Sequence, residues 1–396
     1  MSIRGETRET RLLMNTSAAG SRIEFIDVAR LYGMALVFYG HFIEELMLLK
    51  NPAAASQYKF VYSFHMVLFV VLAGYVAKER VVEISFGDFV KNRFFSRLLP
   101  FIFFTALMMI PPLFISGKFY GLELPSVAGY LKGLQNTVFG IPSFCVPSWF
   151  LLLIVGLELV DTASFRFLKQ SNGRILGAAL LFYLAGYLLN LKLDIFNPLK
   201  GRVVGWNYLF IHEAITLYGF YLIGRYLGRK RVLAGQVSTR IVASAAAAAF
   251  LVVFYTYRLN NGPFAFHVYD AVVILFASHG HILLFPLTAL AGCALILCLA
   301  SLTPVSKILE WMGQNCLILM CLNGVFYHYI NPGVAKWLLN HFSGSALTVI
   351  ASGVIVTTGS LVLCIPAVYL FERYLPQLVG KPKRNGPLLH RFIPSD

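Results

Sequence analysis

Arg30 and His41 lie in one apolar stretch, Ile26 to Leu49, with ten residues between them. On an α-helix eleven steps of about 100° return to within roughly 20° of the starting direction, about 16 Å further along the axis. Both side chains therefore share one face. An arginine and a histidine are costly inside a membrane helix and mark functional sites by default. Histidine titrates near neutrality and can act as a proton acceptor or as a nucleophile. Asp27, three residues before Arg30, can neighbour the guanidinium on the helix surface or simply anchor the helix at the headgroups. Glu44 and Glu45, one turn beyond His41, could orient or charge it, or be solvated residues at the helix end.

The next apolar segment begins Tyr-Ser-Phe-His-Met, Tyr62 to Met66, and runs antiparallel to the first. His65 thus falls at a depth similar to that of His41, and the two imidazoles can face one cavity. The loop that follows reads KNRFFSRLLP, Lys91 to Pro100. Arg93 and Arg97 are four apart and share a helical face, with Lys91 nearby. Guanidinium forks suit phosphate oxygens, although basic residues here also serve topology alone. A phosphate-bearing ligand held at this end could extend a thin reactive arm along the Arg30–His41 stripe.

The elements that must position these residues are membrane helices. The 396-residue chain is 58% hydrophobic and 13% charged, with mean hydropathy +0.71. Apolar runs of about 20 residues recur throughout, as in a polytopic helical membrane protein. They lack the period-2 alternation of an outer-membrane barrel. We expect an all-α fold of about ten transmembrane helices, over 25–48, 60–77, 98–115, 148–162, 175–191, 207–224, 241–257, 281–301, 311–330 and 345–371. With both termini cytoplasmic, the inner segments hold most of the 33 Lys and Arg residues, as the positive-inside rule requires. The net charge of +15 thus reports topology rather than nucleic-acid binding. The stretch 262–280, with His267, Asp270 and His279, is expected to be external or re-entrant.

Three regions are expected: a disordered basic cytoplasmic arm over 1–22, a transmembrane domain over 23–375 and a basic cytoplasmic tail over 376–396. The first apolar run is too long and too charged for a cleavable signal segment. The six cysteines show no CxxC or metal-ligand spacing, so we expect packing roles and no metal. No phosphate-binding loop or dinucleotide fingerprint is present.

These residues resemble those of acyltransferase family 3, the integral-membrane acyltransferases, and in particular its polysaccharide and fucose-type sugar O-acetyltransferases. The shared pattern is Asp27, Arg30 and His41, then Phe64-His65-Met66, Phe69 and Gly74-Tyr75, then Arg93 and Arg97 before Pro100. Weaker likenesses are Trp149-Phe150-Leu151, Gly224 to Gly228, and Trp311 to Asn323, so the resemblance covers most of 22–375. The chain departs from the pattern at Leu31, Val67 and Ala73. Asn315 and Asn323 stand near positions where many members carry Ser and His.

The resemblance implies a membrane O-acyltransferase of the bacterial inner membrane that moves acetyl from acetyl-CoA to a sugar hydroxyl of a surface glycan. His41, Arg30, His65 and Asp27 would be catalytic; Arg93, Arg97, Lys91 and Arg30 would hold the CoA. CoA enters as a co-substrate and no permanently bound cofactor is implied. The acceptor would be a glycan or lipid-linked saccharide, supplied from the external side near Asp194, Trp206, Tyr208, His212, Glu213, His267 and Asp270. Polysaccharide synthesis or export machinery would be the protein partner. Glu158 and Trp149 are expected at membrane interfaces. A transporter of glycan or small solute is the alternative; the broken helices or paired half-repeats expected of one are not evident in the sequence beyond Pro286 and the 262–280 stretch. A structural subunit of a synthesis complex is a third, and it gives no reason to keep an Arg and a His matched on one face.

Overall fold

The computed structural model describes residues 24–77, 85–168, 171–193, 208–234, 237–265, 269–304 and 306–394. The arm expected over 1–22 lies outside them, as do Asp194, Trp206, His267 and the side chain of Tyr208. Among the described residues every element is helical, apart from one antiparallel bridge between Val273 and Ser278.

The first helix, α1 (Glu24–Leu48), carries Asp27, Arg30, His41, Glu44 and Glu45. The second expected span begins earlier than its apolar run, at α2 (Pro52–Tyr62), and continues as α3 (His65–Tyr75). Asn51 caps α2 by accepting from the Ala54 N–H at 2.9 Å, with Pro52 in the first turn, a start signal strong enough to recruit polar Ser56, Gln57 and Lys59 into the helix. Next come α4 (Phe86–Arg93), a π-turn (Phe94–Leu98), α5 (Leu99–Met108) and the short α6 (Val127–Val138). The long helices α7 (Trp149–Leu168), α8 (Asn172–Leu193), α9 (Ile211–Arg229), α10 (Thr239–Leu259) and α11 (Leu284–Leu302) follow. The chain closes with a broken run, α12 (Lys307–Gln314), α13 (Cys316–Val325), a second π-turn (Phe326–Ile330) and α14 (Asn331–His341), and then α15 (Ala346–Tyr374).

Among the described residues, seven helical stretches are long and apolar enough to cross a membrane: Pro52–Tyr75, Phe86–Leu113, Val146–Ser164, Asn172–Lys192, Thr239–Leu259, Leu284–Leu302 and Ala346–Tyr374. The chain is thus an all-α, multi-pass membrane protein. The three other expected spans coincide with α1, α9 and the broken α12–α14 run. The described part of 260–283 contains no helix beyond the single turn Ile274–Phe276.

Apolar helices gain nothing from the hydrophobic effect against lipid, so close backbone approach must hold the bundle. Gly74 on α3 meets α9 so closely that a Cβ there would lie 1.9 Å from the Tyr221 carbonyl oxygen, and one at Gly224 would lie 2.1 Å from that of Val71. This contact holds α3, and with it the wall opposite α1. On the other flank of α1, a Cβ at Gly313 would lie 1.9 Å from the Asp27 carbonyl oxygen, which brings α12 against the Asp27–Arg30 turn.

Two prolines shape the broken helices in the same way. Pro100 has no N–H for the carbonyl four residues back and clashes with it, and the chain widens into the π-turn Phe94–Leu98, with the Leu99 N–H reaching the Phe94 carbonyl. The displaced Ser96 carbonyl instead accepts from Arg97 Nη1 at 3.1 Å. Pro332 does the same to His328: the Asn331 N–H reaches the Phe326 carbonyl, and the His328 carbonyl accepts from the Lys118 N–H at 2.7 Å. Single-turn π segments of this kind recur at functional sites.

Candidate active site

The Arg30–His41 stripe of α1 forms the floor of a cavity of about 560 Å³ that opens between Arg30, Arg93 and Arg97 and ends at His41. Between these ends its wall is apolar: Met34 and Val37 of α1, Phe69 and Leu72 of α3, Trp149 and Ile154 of α7, and Leu317 and Met320 of α13. A second cavity, about 240 Å³, lies beyond His41 and is lined by Glu44, His65, Ser143 and the tyrosines 58, 62, 120, 269 and 327. His41, Met66 and Trp149 border both. The imidazole therefore stands where a charged-mouthed apolar channel meets a hydroxyl-rich pocket.

His41 Nδ1 is hydrogen-bonded to Oδ1 of Asn323 on α13, and the ring packs on Tyr327 with centroids 4.8 Å apart. Because an amide oxygen only accepts, Nδ1 carries the proton and Nε2 keeps its lone pair. Nε2 has no hydrogen-bond partner among the described residues. This is the tautomer a proton acceptor needs, held by a side chain 282 positions away in sequence.

His65 reaches the same neighbourhood through the α2–α3 break. The break frees carbonyls, which must find donors in a dry bundle. Ser63 Oγ donates to the Phe60 carbonyl at 2.6 Å and His65 Nδ1 to the Val61 carbonyl at 3.0 Å. The ring lies edge-on to Tyr62, centroids 4.6 Å apart, and lines the second cavity.

Glu44 and Glu45 are not solvated helix-end residues: they are 6% and 3% exposed. Glu44 accepts from Tyr62 and from Tyr269, each at 3.1 Å. Glu45 pairs with Lys118 at 2.6 Å and accepts from Tyr120 at 3.4 Å. Burial, and then the neighbouring Glu44 charge, push the Tyr120 and Tyr269 hydroxyls well above the ordinary tyrosine value. Both phenols therefore stay protonated and donate.

At the channel mouth Arg30 Nη1 donates to Asp27 at 2.8 Å. Arg93 and Arg97 share Glu158, at 3.0 and 3.6 Å, so Glu158 is a wall residue that fixes both guanidinium groups rather than an isolated interfacial carboxylate. One turn further along α7, Asp161 is held by Arg225 and by the Tyr218 hydroxyl, each at 2.9 Å. Lys91, expected beside the two arginines, is exposed and takes no part in the channel wall. Trp149, expected only to anchor a span, borders both cavities.

The expected external contributors divide. Glu213 pairs with His279 at 2.8 Å and accepts from Asn190 at 3.1 Å, in a buried network that includes the His212 carbonyl. None of these lines the second cavity. Asp270 is exposed and pairs with Lys59 at 3.4 Å. The pocket is instead built from Tyr58 and Tyr62, one turn apart on α2, and from Tyr120, Tyr269 and Tyr327, which come from three other segments far apart in sequence. Among the described residues no grouping of His, Cys, Asp and Glu could hold a metal ion.

A family model described as an acyltransferase domain matches residues 23–369. No curated protein and no solved structure matches the chain. The matched span includes α1 through most of α15 and every residue that borders either cavity. Arg30, His41 and the His65 helix thus fall within a family-wide match, and the chain belongs to acyltransferase family 3, as a multi-pass membrane acyltransferase.

Proposed function

We propose that the protein transfers a short acyl group, acetyl in the first instance, from acyl-CoA to a sugar hydroxyl of a bacterial surface glycan at the inner membrane. The observation that carries this reading is the meeting of the two cavities at His41. An acyl-CoA needs an anionic-group site at one end and a narrow apolar passage for its pantetheine arm, which suits the channel from Arg93 and Arg97 to His41. A sugar needs hydrogen-bond donors, acceptors and aromatic faces, which suits the tyrosines and Glu44 beyond.

In this reading Nε2 of His41 takes the proton from the acceptor hydroxyl as its oxygen attacks the thioester carbonyl carbon. The C–O bond forms, the tetrahedral intermediate collapses with cleavage of the C–S bond, and the departing CoA thiolate takes the proton back from the imidazolium. Asn323 holds the ring in the required tautomer. Attack by Nε2 itself, giving an acyl-histidine that the hydroxyl then resolves, uses the same atoms. His65 and Glu44 hold the acceptor, and Arg30, with Asp27, lines the path of the pantetheine arm. The acceptor arrives as a glycan or lipid-linked saccharide, supplied by polysaccharide synthesis or export machinery.

The test compares ester-linked acyl groups on the surface glycan of cells carrying wild-type protein and His41→Ala, matched for membrane expression, by mass spectrometry before and after mild alkali. The reading expects the ester to disappear with polymer yield unchanged. Unchanged esters would refute it, and a fall in exported polymer instead would favour transport.

A further inference from the structure

The carboxy-terminal segment lies beyond the family match and beyond the last long helix, yet it is folded onto the mouth of the channel. Residues Pro376–Val379 form a short helical turn in which Gln377 is 0% exposed. Gln377 Nε2 donates to the Arg384 and Leu389 carbonyls at 2.8 and 2.6 Å, which folds the tail back on itself. So internally bonded a segment is not a loose charged extension.

It touches both walls of the mouth. On one side the Phe392 ring packs on Phe95, centroids 5.3 Å apart. Phe95 lies in the Pro100-induced π-turn between Arg93 and Arg97. Gly380 sits over the same turn: a Cβ there would lie 3.2 Å from the Ser96 carbonyl oxygen, the atom to which Arg97 donates, and 2.9 Å from Leu317 in the channel wall. On the other side Lys381 Nζ lies 2.5 Å from Glu372 and 2.7 Å from Asn315 Oδ1. Glu372 also accepts from Trp311 at 2.6 Å and from Asn315 at 3.0 Å. Trp311 and Asn315 bracket Gly313 and Gln314, which line the channel, and Gly313 abuts Asp27.

We propose that residues 376–393 are a positioning element for the donor: the tail clamps the π-turn that follows Arg93 and carries Arg97 to the α12 segment beside Arg30. It thereby sets donor affinity without touching the donor or His41. Two of the tail's cations, Lys381 and Arg384, are engaged by Glu372, the latter at 3.0 Å, and so act in the clamp. A clamp of this kind acts by preorganisation: it lowers the cost of ordering the binding groups when the ligand arrives.

This inference rests on the reading of acyl-CoA as donor, so the experiment first measures binding of CoA itself to the detergent-purified full-length wild-type chain by calorimetry. The same measurement, with KM and kcat for acetyl-CoA, is then made on Phe392→Ala, Phe392→Tyr and Arg384→Ala. We expect Phe392→Ala to raise both Kd for CoA and KM about 3- to 10-fold, the scale of one aromatic contact, with kcat within about twofold. Phe392→Tyr, which keeps the ring, should restore the wild-type Kd. A purely structural tail would lower the yield of folded protein and leave Kd and KM of the folded fraction unchanged; that result would overturn the inference. Should Phe392→Ala fail to fold, the mostly exposed Arg384→Ala weakens the same clamp and decides by the same readout. Absence of CoA binding by the wild type would instead remove the donor reading, and the clamp with it.

Discussion

Replacing Asn323 by alanine isolates the contribution of the His41 tautomer. The amide oxygen of Asn323 is the acceptor for Nδ1; its Nδ2 has no partner among the described residues, so the substitution removes one hydrogen bond and strands no group other than Nδ1. A buried polar group left without its partner costs about 1–3 kcal/mol. At about 1.4 kcal/mol per tenfold in rate, kcat should fall about 5- to 150-fold as the ring loses its fixed orientation and its single tautomer. Asn323 does not line the donor channel, so KM for acetyl-CoA should stay within about twofold. Asn323→Asp keeps an acceptor at the same place and should retain more activity than the alanine variant. The assay is steady-state release of CoA thiol by purified protein with a saturating acceptor. A kcat within twofold of wild type for Asn323→Ala, or an effect confined to KM, would refute the tautomer argument.

Arg97→Ala should raise KM for acetyl-CoA by about tenfold or more, since hydrogen bonds to charged groups contribute about 1.5–3 kcal/mol. The wild-type KM should rise with salt as exposed charges are screened, and the variant less steeply; salt titration of KM reads both. Glu44→Gln should raise KM for the acceptor and leave that for acetyl-CoA unchanged, because Glu44 lines only the second cavity; initial rates against each substrate in turn test this. Gly74→Ala should lower the melting temperature in detergent, since its Cβ would meet a backbone oxygen at 1.9 Å and overpacking of this kind costs about 1–3 kcal/mol.

Helix arithmetic was enough to place Arg30 and His41 on one face, because both lie on a single unbroken helix whose period is fixed by the backbone. It also brought His65 to the depth of His41, since consecutive helices are antiparallel. What it lacked were partners between segments. Asn323 comes to His41 from α13, and the residues around Glu44 come from the α2 helix, the 114–126 loop, the 260–283 segment and the second π-turn. No local pattern encodes such meetings. Glu158 appeared interfacial because its position near a helix end says nothing of the two arginines opposite. Lys91 shows the converse case: nearness in sequence to Arg93 and Arg97 does not put it in the channel wall, because it is exposed on α4. The start of the second span was missed for a different reason. Hydropathy marks where apolar residues begin, whereas the Asn51 cap and Pro52 set where the helix begins. Pro100 and Pro332 were visible in the sequence, but their effect is expressed through carbonyls four residues earlier, whose new partners only the fold supplies.

Acetyl-CoA turnover and CoA binding, measured side by side on purified wild type and His41→Ala, test the central claim most directly. The account predicts that His41→Ala binds CoA with the wild-type affinity, because the cations of the mouth lie at the opposite end of the channel, and that its turnover falls at least about 100-fold, the scale of a lost general base. A variant that turns over acetyl-CoA at close to the wild-type rate would contradict it, and the junction of the two cavities would then be a passage and not a reaction centre.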